Sequence, residues 1–248
     1  GKIIKIILIV ILVIIIAFGI VAGTFINGKF SKINFQDLDE NDLGTNDDIY
    51  SEIEGLTKKE YDQVINIMLL GSDSKDMSDT YGGNSDAMMI ISVNPKYKSI
   101  KLISIPRDTA ANIDGVKNRY KINYAFATGK EQLALKTVNQ TFDLNLKEYV
   151  TINISSMYDI INELGGVEVN VTKDEMKWVN EYVDMFYKFS GKPTKKLTRY
   201  GKVTLTGEQA AAYVKERMSG TNNKNSEHGD YGRTRRQRDV FISMLNKI

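Results

Sequence analysis

Residues 71–108 read GSDSKDMSDTYGGNSDAMMIISVNPKYKSIKLISIPRD, and their pattern decides the fold class. Just ahead of them, Ile65 to Gly71 (INIMLLG) is a short apolar run that breaks off into Gly71-Ser72-Asp73. Ala87 to Val93 is a second apolar run with Asp86 at its start, and Ser99 to Ile105 is a third that ends in Pro106-Arg107-Asp108. Apolar runs of this length with polar residues at their ends read as β-strands. Strand ends that carry acids and an arginine place Asp73, Asp86 and Arg107 along one edge of a sheet. Two carboxylates and a planar cation there suit a divalent metal beside a phosphate. The competing reading is that acids following glycine simply finish turns and strand ends.

Downstream, strands alternate with helices. Asn112 to Gly129 contains the Asp114-Gly115 turn and a short apolar element, and Glu131 to Phe142 has helical spacing. Tyr149 to Ile154 alternates as a strand, Ser155 or Ser156 caps a helix to Leu164, and Gly165-Gly166 stops it. Val167 to Val171 (VEVNV) is a strand with one wet face. Glu175 to Phe189 is amphipathic, with Trp178, Val179, Tyr182, Val183 and Phe186 on one face, either core or the wall of an apolar groove. Thr206 caps a helix running to about Met218, residues 219–232 are a loop, and Arg233 to Lys247 is a further helix. The order predicts a single α/β domain with a central mixed sheet flanked by helices.

That domain is expected over residues 61–248. Ahead of it, Ile6 to Ile26 carries no charge, and about 20 such residues span a bilayer core of roughly 30 Å, so residues 1–28 read as one N-terminal transmembrane anchor rather than a signal peptide. Lys2 and Lys5 before the span balance Lys29 and Lys32 after it and leave its orientation open. Residues 29–60 are acidic and aperiodic and read as a polar linker.

Composition removes several chemistries. With no cysteine there is no disulfide, thiolate–zinc site or thiol nucleophile, and a single histidine excludes a multi-histidine metal site and disfavours a Ser-His-Asp hydrolase. His228, in a Gly/Asn/Ser loop, reads as a surface residue. Chemistry then falls to carboxylates and cations. Besides Arg107, the cations of note are Lys215, Arg217, Arg233, Arg235, Arg236 and Arg238. Lys215 and Arg217 are two apart and diverge on a helix unless it ends near them, whereas Arg233 and Arg236 share a face with Gln237 beside them. Converging arginine forks suit a diphosphate. The alternatives are a solvated helix face or a nucleic-acid patch, but Lys+Arg 33 against Asp+Glu 31 provides no broad basic surface, and no nucleic-acid partner is expected.

Seven stretches, in order, resemble the LytR–CpsA–Psr family of cell-wall enzymes: LLGSDS (69–74), SDAMMI (85–90), SIPRDT (104–109), KINYAF (121–126), NELGGVEVNV (162–171), LTGEQAAAY (205–213) and GDYGRTRRQ (229–237). The resemblance covers about Ile65 to Gln237. It implies a membrane-anchored phosphotransferase that moves an anionic glycopolymer, such as a teichoic acid or capsule, from a polyprenyl-pyrophosphate carrier to peptidoglycan. It further implies that the catalytic domain faces outward from a Gram-positive-type cell membrane. On the same basis, Asp73 and Asp86 match the acids associated with Mg²⁺, and Arg107, Arg217, Lys215, Arg233 and Gln237 match pyrophosphate-contacting positions. Either Asp86 or Asp73 then serves as acceptor of the attacking hydroxyl's proton.

Two departures bear on activity. Asn84 stands where the family usually has arginine, and Lys215 keeps the charge of a usual arginine without its fork. They motivate an alternative function, a non-catalytic polyprenyl-phosphate-binding regulator of envelope assembly. Mg²⁺-dependent turnover separates the two.

Overall fold

The computed structural model describes residues 36–52, 57–72, 83–190, 194–219 and 229–247. Its centre is the strand cluster expected from residues 65–105. Strands β1 (Ile65–Ser72), β2 (Ser85–Asn94), β3 (Ser99–Ser104) and β6 (Glu148–Asn153) form one sheet in the order β3-β2-β1-β6. The β1–β2 and β2–β3 pairs are antiparallel and β1–β6 is parallel, so the sheet is mixed.

The continuous apolar run of β1 is explained by burial on both faces. Met68, Leu70, Met88 and Ile90 pack with Ala134, Leu135 and Val138 of α2 (Tyr124–Phe142); a short α1 (Lys58–Tyr61) precedes β1 in the chain. Ile67, Leu69 and Met89 occupy the other face, where Phe241 of α6 (Gly229–Leu245) packs against them. Between β3 and α2 runs a two-stranded ladder of β4 (Ala110–Ala111) and β5 (Tyr120–Lys121).

A second core lies around the antiparallel pair β7 (Val167–Val171) and β8 (Gly201–Leu205). It gathers Ile161 of α3 (Ile154–Glu163), Val179 and Val183 of α4 (Lys173–Ser190), Ala210 and Tyr213 of α5 (Gly207–Lys215), and Val240 of α6. Helix α6 therefore touches both cores, packing on β3 and on β7.

Several local expectations are met and others corrected. The Gly165-Gly166 stop is present, both residues having positive φ, with Gly166 N–H donating to Ile161 O at 2.8 Å. Thr206 caps α5 in a reciprocal box with Gln209. The cap of α3, however, is Asn153, whose side chain accepts from Ser156 N–H, and not Ser155 or Ser156. Helix α2 begins at Tyr124 and is interrupted at Gly129 and Lys130, so residues 131–142 form only its second part. Helix α5 ends at Lys215 because Glu216 is already extended, three residues short of the expected Met218. Val179 and Val183 of the amphipathic stripe are core, while the side chain of Phe186 lies outside the described residues.

Part of the expected linker packs on the domain. Leu43 is 1% exposed within the first core. Asn139 Nδ2 donates to Leu43 O at 2.8 Å, and Gln132 bonds to the backbone of Asp39 and Asp42. Leu38 and Leu43, set among acids, show neither helical nor strand periodicity, which is why the segment reads as a spacer. The expected anchor at 1–28 lies outside the described residues, among which no helix is long and apolar enough to cross a membrane.

Candidate active site

Three separated stretches meet where β2 starts, β3 ends and α6 begins. Asp86 is the second residue of β2, beside an irregularity in the β1–β2 register at Gly71 and Ser72. A Cβ at Gly71 would stand 2.8 Å from that of Ala87, so the strands approach there only because residue 71 has no side chain. Arg107 is held by the turn that follows β3. Thr109 N–H and its hydroxyl both donate to Pro106 O, at 3.0 and 2.7 Å, and Asn123 N–H donates to Arg107 O at 3.3 Å. Asp230 and Arg233 come from the first turns of α6.

Their side chains form a ring of alternating charge. Arg107 donates from Nη1 to Asp86 Oδ1 at 2.6 Å and from Nε to Asp230 Oδ1 at 3.2 Å. Arg233 closes the ring, with Nη2 at 2.5 Å from the same Asp230 oxygen and Nη1 at 3.6 Å from Asp86 Oδ2. The Arg233 side chain is only 2% exposed, and its Nε is, among the described residues, the one buried side-chain polar atom with no hydrogen-bond partner. A buried orphan donor is costly in a folded protein and calls for a cause, such as a bound water or ion, local strain or a functional role. Burial is the main force pulling the Arg233 pKa below its ordinary value, and repulsion from Arg107 and Arg217 adds to it; Asp230 and Asp86 oppose both. At Arg107 burial also works against the charge, but Asp86, then Asp230 and Asp108, outweigh it and raise the pKa.

Of the residues expected at the site, Asp86, Arg107 and Arg233 are in direct contact. Gln237, one turn along α6 from Arg233, reaches the Asp86 carbonyl through Nε2 at 3.4 Å. Arg217 is exposed and close enough to depress the Arg233 pKa, and Gly229 N–H donates to its carbonyl at 3.2 Å. Lys215 is half-buried at the end of α5, and Asn84 lies two residues before Asp86. Asp73 and His228 lie outside the described residues. The residue that sequence reasoning missed is Asp230, which bridges both arginines. Its signal was available in the spacing: an acid three before Arg233 faces it on a helix.

Among the described residues no three potential ligands cluster for a metal. Mg²⁺ takes only one or two carboxylates and completes its shell with water and phosphate oxygens; Asp86 is a carboxylate of that kind, and Asp73, the second acid expected there, lies outside the described residues.

Beside the turn that carries Arg107 is a cavity of about 290 Å³ between β2, β3 and the end of α2. Ile90, Ile103, Ile105, Pro106, Phe142 and Leu146 make its wall predominantly apolar. Trp178 and Tyr182, expected candidates for such a groove, do not line it.

Fold and site together define an α/β domain with an arginine–carboxylate ring where β2, β3 and α6 meet and an apolar cavity lined in part by Pro106. The chain belongs to the LytR_cpsA_psr family, whose model matches residues 31–248. A protein of Enterococcus faecalis (strain ATCC 700802 / V583) named polyisoprenyl-teichoic acid–peptidoglycan teichoic acid transferase TagU is 31% identical over 206 residues, 82% of this chain and 61% of that protein. TagT bound to LI-WTA is similar with a TM-score of 0.57 and 30% identity, over 76% of this chain and 65% of that one. A LytR-CPS2A-psr family protein, YwtF (TagT), with bound octaprenyl pyrophosphate lipid has a TM-score of 0.56 and 30% identity, over 75% of this chain and 65% of that one. The chain thus spans about three fifths of the length of the E. faecalis relative.

Proposed function

We propose that this chain is a membrane-anchored phosphotransferase that moves an anionic glycopolymer from a polyprenyl-pyrophosphate carrier to peptidoglycan, outside the cell membrane. The observation that carries the reading is the buried, unpartnered Nε of Arg233 in a ring that also holds Arg107. Two converging guanidiniums with a free donor suit a diphosphate. The naming of one relative as a teichoic acid transferase and the octaprenyl pyrophosphate bound to another support the same substrate class.

The pyrophosphate would lie against Arg107, Arg233 and Arg217, and the isoprenoid chain would enter the apolar cavity at Pro106. An acceptor hydroxyl of the glycan attacks the phosphorus that bears the glycopolymer. The new P–O bond forms as the bridging P–O bond breaks, polyprenyl phosphate departs, and Asp86 or Asp73 takes the hydroxyl proton. The arginines stabilise charge that develops on the phosphoryl oxygens and the leaving phosphate. Mg²⁺, held by Asp73 and Asp86, would supply further neutralisation of the phosphates.

The test uses the full chain in detergent with a polyprenyl-pyrophosphate-linked saccharide, glycan acceptor and Mg²⁺, beside Arg107→Ala and Asp86→Ala. Ligated product and free polyprenyl phosphate from the parent, absent in both variants, is the expected result. Tight lipid binding with no turnover across several saccharides would replace this reading with that of a non-catalytic binder.

A further inference from the structure

Three of the four helices around the second core, α4, α5 and α6, enclose a charged network that the site itself does not use. Arg236 is fully buried and Glu216 is too. Arg236 donates to Tyr213 O at 3.1 Å and Ser219 Oγ at 3.1 Å, contacts the Glu216 carboxylate at 3.1 Å and Glu175 at 3.3 Å, and also donates to the Glu216 carbonyl. Arg235, from the same turn, pairs with Glu175 and with Asp239. Glu175 in turn closes a capping box with Thr172 at the start of α4.

The Glu216 carboxylate does more than pair with a charge. Its Oε1 accepts from Ser219 N–H at 2.7 Å and from Met218 N–H, and its Oε2 accepts from the Ser219 hydroxyl at 2.6 Å. Residues 217–219 are therefore wound around this carboxylate. The chain leaves the helix at Glu216, with φ −62° and ψ 140°, and Arg217 is the next residue. That break allows Lys215 and Arg217 to escape the opposed directions a continued helix would impose.

An ion pair this deep adds little to stability compared with apolar side chains of the same shape, because removing two charges from water costs about as much as their attraction returns. It does fix geometry. Resting on the proposed pyrophosphate site, we infer that Arg236 and Glu216 are positioning residues: the pair sets the 216–219 turn so that Arg217, whose carbonyl accepts from Gly229 N–H at the start of α6, is delivered beside Arg233. Because Arg236 and Arg233 lie on one helix, α6 supplies one anion-binding arginine and holds the loop that supplies another. Neither Arg236 nor Glu216 touches the substrate.

A double-mutant cycle on the full chain tests this, with octaprenyl pyrophosphate as the probe and thermal unfolding recorded for every variant. In the parent background Arg217→Ala is expected to weaken binding about tenfold, the size of one charge-assisted hydrogen bond. In the combined Glu216→Leu/Arg236→Met background, which leaves neither charge of the pair stranded, binding is expected to be about tenfold weaker already, and adding Arg217→Ala should change it less than about twofold. The same cycle in Glu216→Gln, which nearly keeps the shape of the side chain, covers the case in which the double replacement does not fold. Parent binding with an undiminished Arg217→Ala effect in a folded background would overturn the positioning role. Failure of the parent itself to bind the probe would overturn the pyrophosphate reading on which this role rests.

Discussion

Arg107 and Asp230 are 123 residues apart in the chain and in contact in the fold, Nε to Oδ1 at 3.2 Å. Through the same oxygen Asp230 also holds Arg233 at 2.5 Å, so one carboxylate fixes the spacing of two guanidiniums. Asp230→Ala leaves Arg233, 2% exposed, without its best partner, and breaking one side of a buried pair costs about 3–5 kcal/mol. A lowered unfolding midpoint and a loss of turnover of at least tenfold are expected. Asp230→Asn keeps an acceptor oxygen and should recover most of the stability but not the turnover, which chemical denaturation beside an activity assay would separate. Full activity in a stable Asp230→Ala would remove Asp230 from the site.

How much of this was legible follows from the physics of each element. β1 and β2 were readable because their apolar residues face both cores, whereas β3 is an edge strand with Ile100 and Ile103 exposed and was marked by its apolar run and the Pro106 that ends it. Asp86, Arg107 and Arg233 stood out as charges at the ends of elements, whereas Asp230 did not, because its role depends on the approach of α6 to the turn after β3. The end of α5 at Lys215 was hidden for a related reason. Glu216 and Met218 are acceptable in a helix, and what breaks the helix is the buried carboxylate drawing in Met218 and Ser219 N–H.

Leu43 tests where the folded unit starts. It is 1% exposed against the core beneath α2, and the Asn139 side chain, bonded to both Leu43 O and Leu146 O, ties its segment down. Leu43→Ala should cost about 2–5 kcal/mol in urea unfolding, the range for a buried leucine. A change below about 0.5 kcal/mol would show that residues 36–49 are a spacer after all.

Glu148, at the start of β6, supplies a pH dependence. Burial raises its pKa above the ordinary 4.5, and repulsion from Glu40 adds to the shift. The ionised form is therefore disfavoured in the fold relative to the unfolded chain. Below the unfolded pKa both states carry the proton and nothing is lost; as pH rises through the raised folded pKa, the native state keeps an unfavourable charge and stability falls. Glu148→Gln should raise the Tm at pH 7, and the gain over the parent should vanish below the unfolded pKa. An equal gain at both pH values would mean that packing and not charge accounts for it.

The apolar cavity offers the sharpest separation of lipid from phosphate. Ser92 lines it from β2, alongside Ile90, Ile103 and Phe142 and well along the strand from Asp86. Filling it with an aromatic ring leaves Arg107 and Arg233 untouched while removing the space an isoprenoid chain would occupy. Ser92→Phe is expected to weaken octaprenyl pyrophosphate binding by at least tenfold and to leave inorganic pyrophosphate binding within about twofold, since each buried methylene contributes about 0.8 kcal/mol. Titration calorimetry with the two ligands reads both numbers from one preparation. Parallel loss of both affinities would mean that the ring had disturbed the sheet, and parallel retention would place the lipid chain elsewhere on the domain.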